Sequence, residues 1–253
     1  SKVCPMSGGM YLAAAGALVQ QMRLEMLANN VANINTVGYK GEKSVFRVPE
    51  ETLPAEELPS EEGSQSLSPY APPFSTMVDF SQGAIHQTGN PLDVALNGVG
   101  FFNVQTPDGI QYTRQGSFTL NTDGVLVTQD GYPVLGEGGE ITIEGANVEI
   151  DATGGVSVDG DEVGRLQVTA FADNDNLEKA GNGRFVSNDP AMAGNRPENT
   201  TVRQGHLESA NVNPVQAMTE MIETSRAFEA YQKVIQSADE ATEKSINNVG
   251  KVA

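Results

Sequence analysis

The sequence lacks tryptophan and carries one cysteine, Cys4. A lone thiol excludes an internal disulfide framework and any cysteine-based metal cluster. Histidine is almost as scarce. His86 and His206 each stand alone in polar, turn-like surroundings, without neighbours at zinc-ligand spacing. Basic residues are few: 15 Lys and Arg face 33 Asp and Glu, a formal charge of −18. Such a chain has no footprint for displacing counterions from nucleic-acid phosphates, and it is repelled by anionic membrane surfaces. Aromatic residues make up only 6% and hydrophobic residues 38% of the 253 positions. That is lean for one self-contained globule and predicts that part of the chain finds its packing outside its own monomer. No apolar run is long enough to cross a bilayer. Met10 to Val19 follows Lys2 as a signal-peptide core would, but its apolar pattern continues as a helical stripe, so an uncleaved segment is expected.

Catalytic signatures are missing as well. No G-x-S-x-G elbow occurs, and Gly136-Glu137-Gly138-Gly139 lacks the Lys and Ser/Thr of a phosphate loop. The latter reads as a hairpin turn. Asp159-Gly160-Asp161-Glu162 and Asp173-Asn174-Asp175-Asn176 cluster oxygens without EF-hand spacing and read as solvated turns. Carboxylates are so frequent that no acid–base pair stands out. No catalytic, cofactor-binding or metal-binding residue is therefore assigned, and neither a small-molecule substrate nor nucleic acid is expected as a partner.

What is present is organised in four parts: 1–35, 36–82, 83–205 and 206–253. The first predicts an amphipathic helix over about Met10 to Asn33. Leu12, Ala15, Val19, Met22 and Met26 alternate at spacings of three and four, the stripe of a coiled-coil seam. Gly38 is a natural stop beyond it. The second begins with a short β-like run near Val45 to Val48, then turns acidic and Pro-rich from Pro49 to Glu62, as an extended arm would. The third alternates short apolar runs with Asp-Gly turns. Examples are Phe101 to Val104, Tyr112-Thr113, Phe118 to Leu120, Val125 to Val127, Ile141 to Ile143, Val148 to Ile150 and Leu166 to Phe171. This predicts a mainly β domain of short antiparallel strands, sandwich- or barrel-like. The fourth predicts a long helix from Pro214 to about Asn248, capped by Asn213. It carries two seam stripes: Met221, Phe228, Ile235 and Thr242, and Ala217, Thr224, Tyr231, Ala238 and Ser245. The terminal seams are natural partners for each other. The alternative is that both helices pack on their own β domain, as in an ordinary α+β fold.

The most unusual local feature is amide-rich. Asn29, Asn30 and Asn33 close the first helix, and Asn35-Thr36-Val37-Gly38-Tyr39-Lys40 follows. Asn is a poor helix former and a good capper, so this reads as a specified bend. Ala28 to Asn33 with Thr36 and Gly38-Tyr39-Lys40 resembles the N-terminal signature of the flagellar rod and hook proteins. Thr88 to Leu96 with Gly98 to Phe102, Tyr112 to Phe118, and Asp130 to Gly136 resemble further blocks of that family in the same order. Gly205, Leu207 to Asn213 and Met218 to Asp239 complete the likeness. Within the family, Gly136 to Ile143 and Asn213-Pro214-Val215 point to one of its rod subunits, with the distal rod subunit close behind.

The resemblance implies a structural subunit of the basal-body rod and no enzymatic activity. It implies export through the flagellar type III apparatus without a cleaved signal, then helical polymerisation in the periplasm through terminal helices paired as a coiled coil. The implied partners are other rod subunits, copies of itself and, in transit, the export apparatus. Taking that signature together with the seams, the candidate assembly residues are Leu12, Val19, Met22, Met26, Asn29, Asn30, Asn33, Thr36, Gly38 and Tyr39 at one end. At the other they are Asn211, Asn213, Met221, Phe228, Tyr231 and Ile235. A secreted β-domain adhesin is the alternative class; it leaves the two seams unexplained.

Overall fold

The computed structural model describes residues 6–46, 74–172, 174–187, 197 and 199–249. Cys4 and the acidic, Pro-rich stretch lie outside the described residues. Helix α1 spans Met6–Ala32 and α2 spans Pro214–Val249. Between them run β1 (Glu42–Phe46), β2 (Phe74–Val78), β3 (Ile85–Gln87), β4 (Val94–Asn97), β5 (Phe101–Thr106) and β6 (Gly109–Thr113). Next come β7 (Phe118–Leu120), β8 (Leu126–Thr128), β9 (Leu135–Gly136), β10 (Gly139–Glu140), β11 (Val148–Ile150) and β12 (Gly155–Val158). The last are β13 (Asp161–Arg165), β14 (Val168–Thr169), β15 (Leu177–Gly181), β16 (Arg184–Ser187), β17 (Thr201–Gln204) and β18 (His206–Glu208). A helix, a β-rich middle of short antiparallel strands and a second helix is the order the sequence predicts.

The chain forms two compact units. One holds residues 32–41 and 78–213, the other 1–31, 42–77 and 214–253. In the first, the largest sheet has the order β14-β5-β6-β16-β15. Consecutive strand residues point to opposite faces, so Phe101 and Phe102 serve different cores. Phe102 packs edge-on to Phe118, ring centres 5.2 Å apart, within a cluster that includes Leu96, Leu126, Val134, Val156 and Leu166. Phe101 joins Tyr112, Leu177 and Phe185 on the other face, with Phe80 and Phe171 against them.

Turn chemistry sets the registers. Asp159 and Gly160 connect β12 to β13, and Asn182 and Gly183 connect β15 to β16. All four have positive φ, the two-residue turn whose twist matches the flanking strands. Gly136 to Gly139 forms the expected hairpin, pairing β9 with β10. Ile141 to Ile143 is not a strand. Only Thr142 makes an isolated bridge, to Val125, while Ile141 and Ile143 are buried in the main core. Backbone bonds flank that bridge on both sides, from the Leu126 amide to the Ile141 carbonyl at 2.9 Å and from the Ile143 amide to the Gly124 carbonyl at 2.8 Å, so the pairing is antiparallel but one bridge long.

In the other unit, β1 pairs with β2, and α1 meets α2. A Cβ placed on Gly16 would fall 2.6 Å from Cε1 of Tyr231, so the tyrosine ring lies directly on the glycine backbone.

Candidate functional site

The first unit is closed by a buried polar clasp where residues 33–41 meet residues 205–213. The bend after α1 is built as the amides suggest. The Thr36 amide donates to the Asn33 carbonyl at 3.0 Å, and the Thr36 hydroxyl donates to Asn33 Oδ1 at 3.2 Å. Gly38 then adopts φ +64 and donates its amide to the Glu208 carbonyl at 2.7 Å. A Cβ at Gly38 would sit 2.4 Å from the carbonyl carbon of Arg114. Both facts demand glycine. Gly38→Ala is expected to cost about 2–3 kcal/mol of stability, read as a lowered urea midpoint.

That turn delivers Lys40 into the interior. Lys40 and Glu208 are each 1% exposed and Arg114 is 5% exposed. The Lys40 amine donates to Glu208 Oε1 and to the Ser81 carbonyl, both at 2.7 Å. Gly83 donates its amide to the same carboxylate oxygen at 2.8 Å. Arg114 donates to Glu208 Oε2 at 3.2 Å and to the Gly98 carbonyl at 2.7 Å, and its guanidinium stands 5.4 Å from the Phe101 ring centre. One carboxylate thus holds two buried cations.

Burial dominates both cations. It pulls the Lys40 amine below the usual lysine range, against the opposing attraction of Glu208. It lowers the Arg114 guanidinium for the same reason. The sign for Lys40 follows. Between its folded value and the ordinary lysine value, the unfolded chain holds the extra proton. The contribution of this group therefore rises with pH through that window. The stability difference between the wild type and Lys40→Met should shift in favour of the wild type from pH 8 to pH 10, measured by urea unfolding.

Asn211 ties the two strands of the clasp. Its Oδ1 accepts the Gly41 amide at 2.8 Å, and its Nδ2 donates to the carbonyls of Asp79 at 2.7 Å and Ser81 at 3.1 Å. Its own amide donates to the Tyr39 carbonyl at 3.3 Å. Asn211→Ala strands several of these backbone groups and is expected to cost about 1–3 kcal/mol, measured by urea unfolding. The Tyr39 ring is buried beneath the Lys179 amine, which lies 4.7 Å from the ring centre.

In the helical unit, Asn30 plays the corresponding part. Its side chain donates to the Glu42 carbonyl at 2.8 Å and accepts the Glu42 amide at 2.9 Å. Asn29 is exposed on the last turns of α1, and Asn213 is exposed immediately before Pro214. Val19 and Met26 are buried, whereas Leu12 is 58% and Met22 40% exposed. The buried face of α1 also takes in Ala13, Ala17 and Leu27, which the three-and-four spacing through Leu12, Ala15, Val19, Met22 and Met26 leaves out. Close helix contact selects small residues, because they let backbones approach. On α2, Met221, Phe228, Tyr231 and Ile235 are half-buried, flanked by fully buried Ala217 and Thr224.

The clasp is not built for chemistry. Both carboxylate oxygens are taken, the amine is engaged twice, and a substrate has no approach to side chains this buried. His86 meets the Ser209 hydroxyl of the neighbouring segment at 3.2 Å, and His206 meets the nearby Gln204 carbonyl at 2.7 Å. Among the described residues there is no cluster of three metal-ligating side chains.

Nothing in the sequence marks Lys40, Arg114 and Glu208 as site residues. They are 94 and 168 positions from their ionic partners. Spacing along the chain carries no signal for such pairs. The one available hint was their presence inside three separate blocks of family likeness.

Comparison with known proteins places these blocks. Three family models match: "Flagella basal body rod protein" over residues 10–40, "Flagellar hook protein FlgE/F/G D1 domain" over 95–158, and "Flagellar basal body rod FlgEFG protein C-terminal" over 203–249. The flagellar basal-body rod protein FlgF of Caulobacter vibrioides is 36% identical over 250 residues, covering 98% of this chain and 100% of the relative. The flagellar hook-basal body complex protein FlhO of Bacillus subtilis is 34% identical, covering 96% and 99%. The flagellar basal-body rod protein FlgG of Agrobacterium fabrum is 35% identical, covering 90% and 94%.

Proposed function

The chain belongs to the flagellar basal-body rod and hook protein family, and on that premise we propose that it is a structural subunit of the rod, of the FlgF type. The end-to-end match with a rod protein carries this reading. The FlgG relatives favour the distal-rod alternative, and they match slightly less of the chain.

The physics of the molecule supports an assembly role. The clasp fixes residues 36–41 against residues 208–211 with buried charge and backbone hydrogen bonds. Each terminal helix carries apolar residues in excess of what its own unit covers: Tyr11, Leu12, Leu18 and Met22 on α1, and Val215, Met218, Ile222 and Val234 on α2 are exposed. Those faces account for the lean hydrophobic composition, because the missing burial occurs between subunits. The terminal helices pair as a coiled coil, and subunits add head to tail in a helical array that does not close into a ring. The chain acts without catalysis. Its partners are copies of itself and the other flagellar axial proteins, with the export apparatus met in transit and the periplasmic rod as destination.

The test is composition. Hook–basal bodies purified from cells expressing a tagged, motile version should contain the protein after detergent and high-salt washing. Recovery of motile, rod-complete basal bodies devoid of the protein, with the protein on the cell surface, would overturn the reading in favour of the adhesin class.

A further inference from the structure

We infer that residues 36–41 are a strap that closes last over a finished β-rich unit, with Lys40 as its latch and the Glu208 carboxylate as the seat. The inference goes beyond the proposed function, and only its meaning for assembly rests on that reading.

The strap is separable from the cores it covers. It belongs to the β-rich unit, together with residues 78–213. Its hold is polar. The Gly38 amide donates to the Glu208 carbonyl and the Gly41 amide to Asn211 Oδ1. In return, the Tyr39 carbonyl accepts the Asn211 amide at 3.3 Å, and the Gly41 carbonyl accepts the Asp79 amide at 2.8 Å. Among the described residues, neither hydrophobic cluster of the unit takes a member from the strap. Lifting it uncovers little apolar surface beyond the Tyr39 ring and leaves both cores intact. Those are the conditions under which a segment opens ahead of global unfolding.

The seat is complete without the strap. Arg114 donates to Glu208 Oε2 and the Gly83 amide to Oε1, so both carboxylate oxygens are already engaged. Glu208 ends β18, which pairs with β3, and β17 pairs with β4. The seat therefore exists once the first strands of the unit have met its last. Electrostatics then fixes the order. With Glu208 not yet in place, Lys40 would be buried beside the like charge of Arg114, with only the weaker attraction of Asp79 in its favour. Closure waits for a residue 168 positions further along the chain. The strap follows α1 and Asn211 precedes α2. In a rod subunit, the segments flanking the two assembly helices are thus fastened together only when the β-rich unit is finished.

Amide-resolved hydrogen exchange on the unaltered full-length protein tests this. The amides of Gly38, Gly41, Asp79 and Asn211 should share one protection factor to within about threefold, at least about tenfold below those of Leu126 and Val134 in the core. The Gly83 amide, bonded to the seat alone, should stay with the core. Strap amides as protected as the core, a spread of more than about tenfold among the four, or Gly83 exchanging with them would overturn the strap. In Glu208→Gln the four amides should lose nearly all protection while Leu126 and Val134 stay protected. Retained strap protection, or loss of both groups together, would remove the latch. The assay makes no use of the rod. A chain with the expected strap that is absent from basal bodies would sink the proposed function and leave the inference standing. A chain found in basal bodies without a separate strap opening would do the reverse.

Discussion

Glu208→Gln is expected to destabilise the β-rich unit by about 3–5 kcal/mol, a large part of the 5–15 kcal/mol that holds a typical domain folded. The substitution is nearly isosteric, so packing is preserved and the change is electrical. It removes the one negative charge between Lys40 and Arg114, which are 1% and 5% exposed. Two buried cations then face each other with only the weaker attraction of Asp79 for Lys40 left to oppose their repulsion, and one cation must deprotonate or the clasp must open to water. Urea unfolding followed by circular dichroism reads the loss. Lys40→Met in the same background should recover much of it, because replacing a buried charge by an apolar side chain of similar length removes the desolvation penalty. A loss below about 1 kcal/mol would mean that the clasp is hydrated in solution and is not the fastening described. In cells the Glu208→Gln subunit should be degraded or fail to support swimming.

Phe228→Asp is the second large effect, and it should separate assembly from folding. Phe228 is half-buried on α2, in a unit distinct from the β cores. A carboxylate there must be desolvated each time the seam closes, at a penalty of several kcal/mol. Swimming on soft agar should be abolished, and the protein should be missing from purified basal bodies. The β-rich unit should keep its wild-type unfolding midpoint. Met221→Asp and Ile235→Asp should behave alike. Functional rods from any of these variants would refute the seam.

The helices were legible in the sequence because their signals are local. Asn213-Pro214 marks the start of α2, and the heptad stripes continue to its end, so the expected Pro214 to Asn248 is close to the observed Pro214–Val249. Helix α1 begins earlier than its apolar stripe, at Met6 instead of Met10. Asp159-Gly160 was legible as a tight turn for an equally local reason, two successive positive φ angles. What stayed hidden is non-local. The clasp joins residues 94 to 170 positions apart, and no periodicity connects Lys40, Arg114, Glu208 and Asn211. Alternation at Ile141 to Ile143 reports burial and an antiparallel pairing, but not that the pairing stops after the single bridge to Val125. The face of α1 is only partly legible, because a three-and-four spacing through Leu12, Ala15, Val19, Met22 and Met26 passes over the buried Ala13, Ala17 and Leu27 and over Gly16, whose contact with Tyr231 depends on the absence of a side chain.

Electron microscopy of basal bodies from cells lacking the gene, beside a complemented control, tests the rod assignment most directly. For a rod subunit the expected particles are stalled before rod completion, without hook or filament, and are restored by the wild-type gene. An early stall would accord with an FlgF-type position and a late one with a distal position. Complete rods bearing hooks and filaments in the deletion strain would contradict it.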